Sequence, residues 1–477
     1  MMIGRNREKT SLGRTLCRDE AQFAAIYGRR RVGKTYFVRN FFKDDFAFYH
    51  TGLQNGDLKE QLRAFRDSLL RQGYADCPVF DNWLDAFSVL RTFLEKQPQD
   101  RKIVFLDELP WMDTPRSKFV MWLGNFWNSW ASARKDIVLV VCGSASSWII
   151  GKIVKDRGGL HNRLTNQIYI EPFCLAECEA YCRARGFSFT RTDIAELYMV
   201  FGGVPYYWSV LMPGQSVAQN IDRLLFDPNG DLRLEYSQLY ASLFKNAARH
   251  LAVVEALASK AIGMTRTELV EACGSSFGGT FISVLEELEQ CGFIRSYTPP
   301  GRKTRGTLFQ LMDNFTLFHQ RFMSGRSEKD SHFWENSLNT PAVNTWHGFA
   351  FERLCLQHVP QIKKALGISG VLTNTYAWRH VPDDVYPTGV QIDLLLDRAD
   401  RLVNMCEMKW SYEPFAITKE YDARLRTKAG TYSAVATKGR KGVNITLVTP
   451  FGVAENMYRF TPHSVVTLDD LFEEVRP

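Results

Sequence analysis

One short string constrains this chain more than any other feature. Gly28-Arg-Arg-Arg-Val-Gly33-Lys34-Thr35 lies between an apolar run, Phe23–Tyr27, and a helical pattern, Tyr36–Phe42. Two glycines followed by Lys-Thr at a strand-to-helix junction let successive backbone N–H groups turn inward at a helix N-terminus, which is a cradle for phosphate. Gly28, Arg29, Arg30, Arg31, Val32 and Gly33 supply the loop. Lys34 supplies a point charge for β- and γ-phosphates, and Thr35 a hydroxyl ligand for Mg²⁺. The ligands that follow are a nucleoside triphosphate, foremost ATP, and Mg²⁺.

Such a loop calls for an acidic strand end nearby. Ile103-Val-Phe-Leu-Asp107-Glu108 supplies it: Asp107 is placed to hold the magnesium through water, and Glu108 to polarise an attacking water. A third apolar run, Ile137–Cys142, ends in Gly143-Ser144. If its strand lies between the other two, the Ser144 hydroxyl reaches the γ-phosphate; otherwise it caps the next helix. Arg163 precedes a fourth run, Gln167–Ile170, at the sheet's edge. There it either neutralises transition-state charge across a subunit interface or is a solvated surface residue. Continuous apolar runs without alternation predict a parallel sheet covered on both faces.

With 477 residues the chain is expected to form three or four domains. Its polar N-terminus and the absence of a long apolar run exclude a secretory signal and a membrane span from the reading, leaving a cytoplasmic protein. A net charge of +7 permits nucleic-acid binding without requiring it. Cys174, Cys178 and Cys182 fall on one helical stripe, which fits buried packing better than a metal site, because no fourth ligand is spaced for it.

Further along, residues 174–238 read as a helical lid after an ATPase core at 1–173. Residues 239–323 give a helix around Leu251–Leu257, a capping box at Thr265-Arg-Thr-Glu268, a helix over Gly279–Gln290 and two short strands around a basic loop. That order predicts a winged helix–turn–helix. Polar residues 324–340 read as a linker, and 341–477 as a separate α/β domain.

Several strings together resemble the archaeal-type ATPases of the AAA-like signal-transduction (STAND) P-loop branch. They are Ile3-Gly4-Arg5, Tyr27 to Thr35, Leu106-Asp-Glu108, Cys142-Gly-Ser144, Asn162-Arg163-Leu164 and Gly202-Gly-Val-Pro205. The resemblance covers roughly residues 1–323. It implies a lid whose angle follows nucleotide state, with Pro205 contacting the base. The edge position of Arg163 separately allows a homo-oligomer formed through the ATPase domain. Asn162 stands where that family more often has Gly.

The last domain carries a second constellation. Val390–Leu396 and Leu402–Trp410 read as two strands of a hairpin with its turn at Asp400. This sets Asp393 opposite Glu407, with Lys409 on the Glu407 face. Opposed carboxylates repel unless a cation lies between them, so Asp393 and Glu407 are candidate metal ligands. The D…E-x-K pattern resembles the PD-(D/E)XK nuclease superfamily, a restriction-endonuclease-like fold, with Ile392 where the nominal motif has Pro. The resemblance implies a role for Glu352 on the preceding helix and for Lys409 at a water or developing charge. Lys419 and Tyr421 are candidate phosphate contacts, or simply exposed helix polarity.

DNA could be reached through the helix Gly279–Gln290 and through Arg302, Lys303 and Arg305. Glu286, Glu287 and Glu289 on that helix oppose close approach to phosphate. Two functions remain open at this point: an ATP-driven protein with a metal-dependent DNA nuclease, and an ATP-controlled regulatory switch whose nuclease-like domain cuts nothing.

Overall fold

The computed structural model describes residues 2–144, 146–155, 158–160, 162–244, 246–274, 280–299, 306–325 and 330–475. They form two compact units, Met1–Glu171 and Pro172–Pro477. Among them no helix is long and apolar enough to cross a membrane.

The first unit is built on five parallel strands: β1 (Gln22–Tyr27), β2 (Phe48–Thr51), β3 (Lys102–Asp107), β4 (Ile137–Gly143) and β5 (Asn166–Tyr169). Their order across the sheet is β2-β3-β4-β1-β5. Every residue of β3 and β4 is buried, because helices cover both faces. Val104, Leu106, Leu139 and Val141 pack with Phe65, Trp83 and Trp127 on one side. Ile103, Phe105, Val138 and Val140 pack with Leu12, Phe37 and Val38 on the other. Strand β2, Phe-Tyr-His-Thr, carries no apolar run and escapes a reading based on hydropathy. Its outer edge at Tyr49 is covered by Gln72, whose amide bonds both Tyr49 N and Tyr49 O. The parallel arrangement brings the C-terminal ends of β1, β3 and β4 to one side, with β4 between the other two.

The second unit opens with helices Leu175–Ala184 and Arg191–Phe201, and shorter ones follow. Cys178 and Cys182 are buried in its core, as the stripe suggests. Helix Ala247–Ala258 leads to β6 (Met264–Thr265), helix Arg266–Cys273, helix Phe281–Gln290, β7 (Ile294–Tyr297) and β8 (Leu308–Leu311). The capping box at Thr265 and Glu268 is formed on both sides. β6, β8 and β7 make a small antiparallel sheet in that order. Gly279, Arg302, Lys303 and Arg305 lie outside the described residues.

Segment 324–340 is not a free tether where it is described. Trp334 is buried, and the Trp334 and Glu335 N–H groups donate to the Asp222 carboxylate at 2.7 and 2.9 Å. The Trp334 ring packs on Phe318 and Phe322 at 5.0 and 5.1 Å. Nor does the region from 341 stand apart. Helix Pro341–Gln357 shares one hydrophobic core with the helices that begin at Leu175, and His358 Nε2 accepts the Leu175 N–H at 3.0 Å. The helices from Leu175, the small sheet and the C-terminal region thus share one core, to which aromatic Phe333 and Trp334 of the nominally polar connector contribute.

The C-terminal region adds β9 (Thr373–His380), β10 (Val390–Arg398), β11 (Leu402–Met408), β12 (Gly442–Val448) and β13 (Ser464–Val466), ordered β13-β12-β11-β10-β9. β9, β10 and β11 are antiparallel neighbours. β11 and β12 run parallel, so the chain needs a crossover, and helix Lys419–Tyr432 supplies it.

Candidate functional site

The 28–35 loop is shaped by backbone conformations that only some residues tolerate. Gly28 has φ 153°, and a Cβ there would come within 2.4 Å of the Ile170 carbonyl oxygen. Gly33, φ 85°, starts helix Lys34–Phe42, and Arg31 between them is left-handed at 68°. Arg29 and Val32 are buried, while Arg30 and Arg31 are half-buried. Lys34 is buried, and its ammonium donates to the carbonyls of Gly28 at 3.0 Å and Arg29 at 2.8 Å. The charge therefore sits inside the loop's curve, held by carbonyls that phosphate oxygens would replace.

Behind the loop, Thr35 Oγ1 donates to Asp107 Oδ2 at 2.8 Å, and the other Asp107 oxygen accepts the Glu108 N–H at 3.0 Å. A hydroxyl and a carboxylate in direct contact at a strand end suit a hard cation that takes oxygen ligands. Glu108 is left-handed at φ 46°, which turns its carboxylate toward β4. There it accepts from Ser144 N at 3.1 Å and Ser144 Oγ at 2.8 Å. Ser144 thus engages the acidic strand end. The sequence alternatives, a sensor or a helix cap, did not include this contact.

Arg5 is a site residue that inspection of the motifs alone passes over. Its buried guanidinium donates to the Val32 carbonyl at 3.0 Å and to the Glu171 carbonyl, bracing the loop from behind. The signal was the Ile3-Gly4-Arg5 string. Arg163, by contrast, is exposed beside edge strand β5 and joins none of these contacts. Pro205 opens helix Pro205–Ser209 in the second unit.

The second cluster is assembled from three segments. The β10–β11 register runs Leu395↔Met405 and Leu394↔Cys406, so Asp393 is the next position toward Glu407. An irregularity in the β9–β10 pairing between Ile392 and Leu395 falls beside it. Lys409 Nζ lies 3.2 Å from Glu407 Oε1, and Lys428 Nζ lies 2.8 Å from Glu407 Oε2. Tyr421 donates its hydroxyl to Glu407 Oε1 at 3.1 Å. Burial pushes the Glu407 carboxyl up, but Lys428 and then Lys409 outweigh it and hold the group below the ordinary carboxylate range. Glu352, on helix Pro341–Gln357, is pushed up to about 8 by burial and then by the Asp393 charge. Of the helix candidates, Tyr421 contacts the cluster, whereas Lys419 is exposed at the helix start. Lys428, further along the same helix, reaches the cluster through Glu407. Tyr421 and Lys428 are seven residues apart, two helical turns, and that spacing was the missed signal.

Comparison with known proteins bears on the first cluster. Residues 2–211 match the family described as an ATPase domain predominantly from Archaea. That segment is similar to the archaeal-type ATPase domains. An uncharacterized protein of Methanocaldococcus jannaschii is 22% identical over 415 residues, 86% of this chain and 88% of its own length. Among solved structures, the Walker-type ATPase of Pyrococcus abyssi is 14% identical and covers 67% of this chain and 96% of its own, with a TM-score of 0.46. The ORC2 protein of Aeropyrum pernix, in ADPNP and ADP complexes, is 14% identical and covers 66% and 92%, with a TM-score of 0.39. The matched segment extends past the first unit into helices Leu175–Ala184 and Arg191–Phe201, so its last forty or so residues belong to the second unit.

Proposed function

We propose that the chain binds and hydrolyses ATP at the 28–35 loop, and that nucleotide state governs a metal-dependent nuclease-like centre at Glu352, Asp393, Glu407 and Lys409. The ATPase half rests on the direct contact of Thr35 with Asp107 behind a lysine already held inside the loop. Thr35 and Asp107 would hold Mg²⁺, which when bound neutralises phosphate charge. Lys34 exchanges its two carbonyl partners for β- and γ-phosphate oxygens. Glu108 orients the attacking water once its carboxylate leaves Ser144, making Ser144 the group that withholds or releases it. Arg163, exposed at the edge, is available to a second copy of the chain. Pro205 is the proposed base contact.

For the second centre, the carrying observation is the meeting of three carboxylates with Lys409. Burial and then the Asp393 charge raise the cost of ionising Glu352, which a divalent cation shared with Asp393 and Glu407 would relieve. Lys409 lies where it can stabilise charge on a phosphodiester. Communication with the ATPase domain is supported by Tyr412, three residues beyond Lys409, which donates to Glu196 at 2.8 Å. Glu196 lies on helix Arg191–Phe201, which runs straight into Gly202-Gly-Val-Pro205.

The segment from Ala247 to Leu311 fits a winged helix that brings DNA to this centre. Of the three acidic residues on helix Phe281–Gln290, Glu287 is engaged by His250 at 2.8 Å and Glu289 by Ser296 at 2.6 Å, and Glu286 is exposed. The alternative, a regulatory switch without cleavage, is favoured by one observation: both Glu407 oxygens already carry a lysine, as in a closed structural ion network. Incubating the full chain with single- and double-stranded DNA, Mn²⁺ or Mg²⁺, with and without ATP, separates the two. Cleavage that needs the metal and disappears in Lys409→Ala is the expected result. Equal cutting by Lys409→Ala, or none by the wild type under any condition, selects the switch.

A further inference from the structure

Glu407 is compensated far beyond what one buried carboxylate needs. Lys409 reaches Oε1, Lys428 reaches Oε2, and the Tyr421 hydroxyl shares Oε1. Its two acidic neighbours are treated differently. Asp393 Oδ1 accepts from the Gln391 side-chain amide at 2.7 Å, and no ion pair reaches Glu352 or Asp393 among the described residues. The close ammonium contacts thus converge on Glu407, while Glu352 feels burial and the Asp393 charge, with Lys409 and Arg353 acting on it only at longer range.

The two lysines are not equivalent. Lys409 follows directly on β11, two residues beyond Glu407, so its backbone is fixed beside that carboxylate, and its side chain is 33% exposed. Lys428 comes from the crossover helix and reaches across on a flexible four-carbon stem, with its side chain only 17% exposed. A divalent cation shared among Glu352, Asp393 and Glu407 needs an oxygen of Glu407 at bonding distance, about 2.0–2.6 Å for Mg²⁺ or Ca²⁺. Oε1 already takes two donors, so Oε2 is the oxygen to be surrendered. An ammonium and a metal ion on that same oxygen would repel at short range and in partial burial, where screening is weak.

We infer that Lys428 is a built-in counter-ion: it occupies the divalent cation's place on Glu407 Oε2 while the centre is empty of metal, and yields that oxygen when the metal arrives. The inference rests on reading the acid cluster as a metal site. It makes Lys428 a positioning residue that keeps Glu407 ionised and aimed between loadings, at the expense of metal affinity. The displaced ammonium stays within reach of the centre, where a phosphodiester is the partner of suitable charge.

Calorimetric titration of Mn²⁺ into the nucleotide-free full chain tests this, with Asp393→Asn identifying the heat that belongs to the centre. Removing the competitor in Lys428→Met is expected to tighten the Asp393-dependent binding about tenfold, whereas Lys428→Arg, which restores a competing charge, stays within about threefold of wild type. A merely structural lysine predicts the opposite sign, since its loss would loosen the site. Lys428→Gln serves if thermal unfolding shows that the methionine variant does not fold. Unchanged or weaker Mn²⁺ binding in the folded neutral variant overturns the inference while leaving the metal centre standing. Absence of Asp393-dependent heat in every protein overturns the metal reading itself, and the role of Lys428 with it.

Discussion

The two polar clusters of this molecule are built on opposite principles. At the 28–35 loop, one contiguous string does most of the work through its backbone: left-handed residues bend the chain, the carbonyls of Gly28 and Arg29 hold Lys34, and side chains from β3 and β4 complete the end of the sheet. At Glu407, no residue is contiguous with its partners, and every contact is between side chains from a helix, a hairpin and a crossover helix. A backbone-built site is stiff and announces itself in sequence. A site built from side chains can exchange partners, and its membership is settled only by packing.

The largest effect that would break this contrast is expected at Lys34. Two charge-assisted bonds to phosphate, at about 1.5–3 kcal/mol each, put the loss of ATP affinity in Lys34→Ala at roughly a thousandfold. Equilibrium titration with a fluorescent ATP analogue measures it, and near-normal affinity would mean that the loop does not cradle phosphate. Next comes Glu108→Gln. A positioned general base contributes at least about a hundredfold, so turnover is expected to fall by that factor while ATP still binds. Steady-state phosphate release beside the same binding titration checks both halves, and unchanged turnover would remove Glu108 from the water.

The smallest effect sharpens the comparison by locating pH sensitivity outside the loop. His50 on β2 is buried, with its Nδ1 2.9 Å from Ser68 Oγ. Burial, and then Arg71, lower its pKa to about 3. Because the folded value lies below the unfolded 6.5, the unfolded chain binds the extra proton, and stability is lost as pH falls below about 6.5. For this one group the loss between pH 7 and pH 5 is about 2 kcal/mol. His50→Gln is expected to flatten the acid side of the stability curve by that amount in denaturant melts of the first unit's transition. Parallel curves for both proteins would show that the ring titrates freely.

What could be read from sequence divides along the same line. Runs such as Ile137–Cys142 are strands because both faces are covered, and an unbroken apolar string needs no partner to be recognised. Asp393 and Glu407 could be paired because a hairpin converts sequence distance into register. Strand β2 could not be read, since Tyr49, His50 and Thr51 find their hydrogen bonds in tertiary contacts with Gln72, Ser68 and one another. The Ser144–Glu108 contact depends on a left-handed residue after Asp107 that composition does not mark. The connector before Pro341 looked solvated because one tryptophan, Trp334, outweighs its polar neighbours only when an aromatic pocket awaits it.

The hydrogen bond from Leu175 to His358 has a consequence for biosynthesis. A helix made early in translation of the second unit finishes its surroundings only after 183 further residues have emerged. The first unit can close behind the ribosome as soon as β5 is available, whereas the second must wait, with apolar faces bare, for almost its whole length. The nascent chain therefore holds a closed first unit tethered to an unfinished second one, and that interval is when a chaperone would meet it.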